Sequence, residues 1–181
     1  EKLGLPFREG LVKNRYIRRT FIMPLQEARE STVRQKLNPI RSEIKGKKVL
    51  LVDDSIVRGT TSREIINLVK NAGAKEVYLA VTCPPLRYPC VYGIDMQTKN
   101  EFIARNKNED KIAKEIGADK LIYQTLNGLI KAISIRKFAS SCSPGNNKYC
   151  TASFTGVYPT KISDNMFKEI EQDRRKAQCS C

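Results

Sequence analysis

The chain has 181 residues, enough for one domain with a real hydrophobic core and too few for two full ones. Its composition, 40% hydrophobic and 29% charged, is that of an ordinary soluble α/β protein, and no apolar run approaches the roughly 20 residues that span a bilayer. With 33 Lys and Arg against 19 Asp and Glu the net charge is +14, which points to a polyanionic partner, either nucleic acid or a phosphorylated small molecule.

In chain order, Glu1-Lys2-Leu3-Gly4 reads as the last turn and glycine cap of a helix, with neither an initiating Met nor a signal-peptide pattern, so a fragment of a longer polypeptide is expected. Residues 7–12 read as a short strand. Residues 13–38 are polar and crowded with Lys13, Arg15, Arg18, Arg19, Arg29, Arg34 and Lys36, with a helix expected from about Gln26 to Leu37. Lys47 to Asp53 is a clear strand, and its continuous apolar run Val49-Leu50-Leu51-Val52 predicts cover on both faces. Ser55 to Thr61 is a loop. Thr61-Ser62-Arg63-Glu64 fits a capping box, after which Ile65, Ile66, Leu68, Val69 and Ala72 make a helical stripe that stops at Gly73.

Val77 to Val81 is a second buried strand, so the chain holds a βαβ unit and hence a parallel sheet with a right-handed crossover. Pro84-Pro85 ends that unit, and Arg87 and Tyr88 organise the turn that follows. Helices are expected near 98–105 and 109–116, a strand at 120–123 and a helix over 126–136. Residues 139–161 lack periodicity and read as a tail lying on the domain, with a last amphipathic helix from Asp164 to Ala177. The expected division is a first unit of residues 1–137 and a C-terminal extension of residues 138–181.

The chemistry concentrates in the thirteen residues from Val49 to Thr61. In an open parallel sheet, ligands bind at the carboxyl ends of the strands, where Asp53 and Asp54 stand. Adjacent strand residues point to opposite faces. One carboxylate can therefore meet a ribose hydroxyl or a magnesium ion, while the other holds the loop or the second hydroxyl. The next stretch places Gly59 among Ser55, Thr60 and Thr61 and opens directly into a helix, which suits a phosphate monoester bound by backbone N–H groups and the helix N-terminus. It is neither a Walker loop nor a Gly-x-Gly-x-x-Gly fingerprint.

This string resembles the phosphoribosyl pyrophosphate motif of type I phosphoribosyltransferases. A narrower likeness rests on several segments in order: Lys13-Asn14-Arg15-Tyr16, Arg19 to Pro24, Val33 to Asn38, Asp53 to Ser62, Arg87-Tyr88-Pro89 and Tyr92-Gly93-Ile94-Asp95. Together they are similar to the glutamine phosphoribosylpyrophosphate amidotransferase family, from residue 1 to about Thr160. The resemblance implies the α/β type I phosphoribosyltransferase fold, a Rossmann-like parallel sheet with flanking helices, incomplete on its N-terminal side and with an exposed edge.

It also implies the transferase half of a cytoplasmic enzyme of purine synthesis, in which glutamine-derived ammonia attacks C1 of phosphoribosyl pyrophosphate to give 5-phosphoribosylamine and pyrophosphate. By the same resemblance Asp53 and Asp54 bind the ribose hydroxyls and Mg2+, and Ser55, Arg58, Gly59, Thr60 and Thr61 cradle the 5′-phosphate. The basic segment is implied to be a mobile lid with Lys13, Tyr16, Arg19 and Lys36 as catalytic positions. Implied partners are purine nucleotide inhibitors, with Arg87 and Tyr88 as an alternative contact for them, an N-terminal glutaminase domain outside this chain, and further copies in a homo-oligomer. Neither a membrane nor nucleic acid is expected. Without the glutaminase half and the family's pyrophosphate loop, residues 1–181 are expected not to make phosphoribosylamine alone.

Some members of the family carry a 4Fe–4S cluster. Here Cys90 and Cys150 stand in two of its ligand positions, Ser153 in a third, and the remaining one falls outside the chain. Cluster iron wants thiolates, so Cys142 or the Cys179/Cys181 pair would have to substitute. Cys83 reads as a small buried residue. Two other readings share the fold: a nucleotide-sensing DNA-binding regulator, which should carry a separate DNA-reading element, and a transferase acting on a nucleobase. The Lys13 to Pro24 string and the Cys150 to Thr160 segment argue against the latter.

Overall fold

The computed structural model describes residues 4–14, 37–92, 99–135, 149–163, 165, 167, 169, 172 and 173. Residues 26–36 of the helix expected at 26–37, most of the basic segment, Cys142, Cys179 and Cys181 lie outside these residues, and Leu37 begins a strand instead.

Two short strands, β1 (Leu11–Lys13) and β2 (Leu37–Pro39), form an antiparallel ribbon that pairs Leu11 with Pro39 and Lys13 with Leu37. A short helix, α1 (Arg41–Ile44), leads from the ribbon into β3 (Lys48–Asp53). The βαβ unit follows as expected. Helix α2 (Thr60–Asn71) crosses from β3 to β4 (Glu76–Val81). Helix α3 (Glu109–Ile116) then brings the chain to β5 (Lys120–Tyr123). The sheet is parallel in the order β3-β4-β5, with Val52, Ala80 and Ile122 in one row. Helix α4 (Leu126–Ile135) starts after Thr125, whose hydroxyl accepts a hydrogen bond from the Gly128 amide at 3.1 Å.

The core lies between one face of the sheet and helices α2 and α3. Ile66 and Val69 of α2 and Ile112 and Ile116 of α3 close on Val77, Leu79, Val81 and Leu121, all essentially removed from water. Alternation along β4 shows the arrangement: Val77, Leu79 and Val81 are buried, while Tyr78 and Ala80 on the other face are half-exposed. The expectation that β3 is covered on both faces is therefore corrected. Leu50 is 41% exposed and Val52 66%, because the core helices α2 and α3 pack on the other face and Val52 shares its row with the exposed Ile122.

Three further expectations are revised. The capping box does not form, because α2 begins two residues earlier with Gly59 as its N-cap and the side chain of Glu64 is buried. The helix expected near 98–105 reduces to a 3-10 turn at Lys99–Glu101. Phe102, Ile103 and Ala104 are buried in succession, a pattern that one helix face cannot produce. The strand expected at 7–12 is shorter and later, at β1.

The described part of the tail, residues 149–161, lies on the domain. Its short helix α5 (Ala152–Thr155) offers the Ser153 carbonyl to the amides of Arg87 (3.0 Å) and Tyr88 (3.1 Å), and the Tyr158 hydroxyl donates to the Pro89 carbonyl at 2.7 Å. Asn165, Phe167, Glu169, Gln172 and Asp173 are helical, and the Phe167 ring meets Tyr158 edge-on at 5.2 Å.

Asp119 joins β5 to the start of β4. Its Oδ2 accepts a hydrogen bond from the Val77 amide at 2.7 Å and lies 3.3 Å from Lys70 Nζ. The Val77 N–H, and after it Lys70, hold the carboxyl below the usual carboxylate range. A depressed pKa contributes stability that is present above the ordinary carboxylate value and is lost as pH falls through the folded one. Asp119→Ala is expected to lower stability by about 1 kcal/mol at neutral pH, discounted for the exposure of this pair. Denaturant titrations should show the difference from the native chain shrinking in acid, and Asp119→Asn losing less.

Candidate functional site

The strand β3 delivers two carboxylates to the carboxyl edge of the sheet, and pairing with the next strand continues past them. The Thr82 amide donates to the Asp53 carbonyl at 3.0 Å and the Cys83 amide to the Asp54 carbonyl at 3.2 Å. The backbone under both acids is thereby held as firmly as the strand itself. Asp53 is half-buried and Asp54 exposed, as alternation along a strand requires.

Asp53 Oδ1 accepts the Asp54 amide at 2.9 Å, and Asp54 Oδ1 accepts the Ser55 hydroxyl at 2.9 Å. Burial raises the pKa of Asp53 above the carboxylate norm, the Asp54 amide opposes that, and the neighbouring charge of Asp54 adds to the rise. Cys83 stands close enough that burial first, then Asp54 and Asp53, push its thiol up to about 11. It is thus a neutral thiol beside the acids, and its Sγ bonds to the Pro84 carbonyl at 3.2 Å. A bound cation between the carboxylates would reverse the pressure on Asp53.

The loop after the acids is anchored from inside the domain. Ile56 is 1% exposed. The Val57 carbonyl accepts the Ile103 amide at 2.8 Å, and the Arg58 guanidinium makes an ion pair with Glu101 Oε1. Gly59 adopts φ +79°, and an added Cβ would collide with Ile103 Cδ1 and stand 3.1 Å from Ile116 Cγ2. Its glycine character therefore answers to the core as well as to any ligand.

From Gly59 the chain turns into α2 without a side-chain cap. Among the described residues none of the amides of Thr60, Thr61 or Ser62 finds an acceptor, whereas the Arg63 amide bonds the Gly59 carbonyl at 2.9 Å. Three converging N–H groups at a helix N-terminus, with the Thr60 and Thr61 hydroxyls beside them, form a place for an anion.

The structure thus brings together Asp53, Asp54, Ser55, Gly59, Thr60 and Thr61. Arg58 belongs to the same loop, but its guanidinium is engaged by Glu101. Lys13 is exposed on β1, and among the described residues no hydrogen bond or ion pair joins it to this loop. Tyr16, Arg19 and Lys36 lie outside the described residues. Sequence reading missed Glu101 and Ile103, the two residues that clamp the loop. They stand more than 40 positions away, in a segment read as a helix near 98–105, so nothing local ties them to the loop.

Of the six cysteines, Cys83, Cys90 and Cys150 are among the described residues. Cys90 is buried, its Sγ receiving the Tyr92 amide at 3.4 Å, and Cys150 is exposed. The Ser153 carbonyl serves the 87–88 turn. Among the described residues no group of three His, Cys, Asp or Glu could hold a metal ion.

Residues 3–120 match the phosphoribosyl transferase domain family. The chain belongs to this family. The phosphoribosyl transferase domain here is 53% identical over 163 residues to the amidophosphoribosyltransferase of Methanocaldococcus jannaschii and 49% identical over 172 residues to that of Saccharomyces cerevisiae. These matches take in 90% and 95% of this chain but 32% of each relative, so the chain spans about a third of the length of the curated relatives it matches.

Among solved structures it is similar to the Bacillus subtilis glutamine phosphoribosylpyrophosphate amidotransferase complexed with ADP and GMP, with a TM-score of 0.73 and 48% identity over 90% of this chain and 35% of that one. A structure described as the allosteric regulatory enzyme of purine biosynthesis gives a TM-score of 0.74 at 47% identity. No helix of the described residues is long and apolar enough to cross a membrane.

Gly59→Ala tests the anchoring of the loop. A side chain at this φ costs about 1–2 kcal/mol before any collision with Ile103 is counted, and Tm should fall by about 2–8 °C. An unchanged Tm in a thermal scan would show that the loop is not wedged against the core in this way.

Proposed function

We propose that this chain is the phosphoribosyl pyrophosphate-binding part of an amidophosphoribosyltransferase, the enzyme that joins ammonia released from glutamine to C1 of phosphoribosyl pyrophosphate. The observation that carries the reading is the pairing of the Asp53–Asp54 edge with the uncapped N-terminus of α2 across one short, internally clamped loop. A ribose 5-phosphate fits that pairing, with the ring hydroxyls toward the acids and the phosphate on the Thr60, Thr61 and Ser62 amides. Each charge-assisted hydrogen bond would contribute ~1.5–3 kcal/mol.

In this reading Asp53 and Asp54 hold the two ribose hydroxyls and fix the sugar, so that the C1–pyrophosphate bond faces solvent and the approaching ammonia. Ser55 keeps Asp54 oriented through its hydroxyl. Thr60 and Thr61 add side-chain donors to the phosphate. Asp53 and Asp54 also fit a magnesium ion, which takes one or two carboxylates plus substrate oxygens and, when bound, neutralises charge on the pyrophosphate. Arg58 acts through Glu101 to hold the loop, a positioning role beside any contact with phosphate.

The lid reading of residues 13–38 is kept as part of the proposal. It is supported by the β1–β2 ribbon, which holds Lys13 opposite Leu37 at the two ends of the basic segment. Lys13, Tyr16, Arg19 and Lys36 would supply cations and polar contacts to the leaving pyrophosphate when the segment closes. Regulation by purine nucleotides, assembly into a homo-oligomer, a cytoplasmic setting and partnership with a glutaminase domain rest on the relatives and remain within the proposal.

Isothermal titration of the chain with phosphoribosyl pyrophosphate tests it directly. Saturable binding that strengthens with magnesium is expected, and Asp53→Asn/Asp54→Asn should weaken it by roughly tenfold to a hundredfold, the loss of one or two charge-assisted contacts. Equal affinity in the double variant would mean that the acids do not hold the ribose.

A further inference from the structure

The Cys83 amide ties the acid-bearing end of β3 to the next strand, and from Cys83 the chain runs straight into the turn that the tail covers. Pro84, Pro85 and Leu86 alone separate Cys83 from Arg87, and Pro84 and Leu86 are buried. Each proline ring fixes its own φ, so this connection is stiff and absorbs little displacement at either end. One end is the amide that bonds the Asp54 carbonyl at 3.2 Å. The other end is held by the tail.

That hold is direct. The Ser153 carbonyl accepts two consecutive amides, Arg87 at 3.0 Å and Tyr88 at 3.1 Å. Gly156 has φ +78° and lies so close to the Tyr88 ring that an added Cβ would come within 2.9 Å of it. The Tyr158 hydroxyl donates to the Pro89 carbonyl at 2.7 Å. Further on, the Tyr92 hydroxyl lies 2.9 Å from the Thr160 hydroxyl and accepts the Thr160 amide at 3.2 Å. Pro89 and Ala152, beside these contacts, are buried.

Tyr123 of the core does not add to that hold. It stands at the carboxyl end of β5 and is 8% exposed. Burial first, then the nearby Cys83 and Glu109, raise its pKa, and Arg87 opposes them, so its hydroxyl lies near the same connection. Among the described residues that hydroxyl has no hydrogen-bond partner. A buried hydroxyl in that state fastens nothing.

We propose that residues 153–160 are a strap that positions the Asp53–Asp54 pair through residues 83–87. The grip of the acids on a sugar phosphate then depends on tail residues outside the acid loop. The inference rests on the sugar-phosphate reading of the site. With the strap seated, the Cys83 amide and the Asp54 carbonyl are held at one end of a stiff connection whose other end is fixed. With the strap loosened, the pairing made by the Thr82 and Cys83 amides past the end of β4 is the part that opens.

The test joins amide hydrogen exchange on the 181-residue chain to titration with phosphoribosyl pyrophosphate and magnesium. The native sequence is compared with Tyr158→Phe and Tyr92→Phe, each of which removes one hydroxyl and leaves the ring in place. Exchange at Arg87, Tyr88 and Cys83 should quicken by about threefold or more, and affinity should fall by about threefold or more. Exchange at Leu79, in the middle of β4, should match the native chain. Gly156→Ala, which drives a methyl group toward the Tyr88 ring, should act in the same direction more strongly. Exchange at Cys83 or affinity equal to the native chain's in all three variants would overturn the proposal and leave the site reading standing. Leu79 quickening in step with Cys83 would overturn it too, because the tail would then be general packing. A native chain that binds no sugar phosphate would overturn both.

Discussion

Gly59 has no room for a side chain, and that constraint organises the carboxyl edge of the sheet. A Cβ there would meet Ile103 and Ile116, and the backbone is in the left-handed region from which α2 starts. The buried Ile56, the Val57 carbonyl bonded by the Ile103 amide and Arg58 paired with Glu101 hold the loop further. A loop held from the core in this way can leave its outward amides without partners, because its shape does not depend on satisfying them locally. The cost of those open donors is what makes the position receptive to an anion.

The acids obey the opposite logic. Asp53 and Asp54 sit on backbone fixed by Thr82 and Cys83, and burial first, then the nearby Asp54 charge, disfavours the ionised form of Asp53. A carboxylate disfavoured in this way is what a site kept for a hydroxyl-bearing ligand or a cation shows. The half-buried thiol of Cys83 stays neutral beside them.

Much of this was legible in the sequence. The βαβ unit, the strand at 120–123 and the helices at 109–116 and 126–135 followed from period and punctuation, and the string from Asp53 to Thr61 announced its chemistry. What local pattern did not show was set by distant contacts. The apolar run Val49 to Val52 reads as a strand covered on both faces, yet Val52 and Ile122 share an open row, since burial depends on what else packs there. The Thr61–Glu64 capping box was overridden because Glu64 is drawn inside. Glu101 and Ile103 define the loop from across the domain, a relation that no spacing encodes.

The central claim is that the amides at the start of α2 hold a phosphate, and hydrogen exchange reads those amides one by one. With ribose 5-phosphate at saturation, exchange at Thr60, Thr61 and Ser62 should slow by about tenfold or more, the protection of a charge-assisted hydrogen bond. The first turn of α3, where Asn108 already caps the Lys111 amide, should not change. Unaltered exchange at Thr60 to Ser62, or equal protection at both helix starts, would contradict the account.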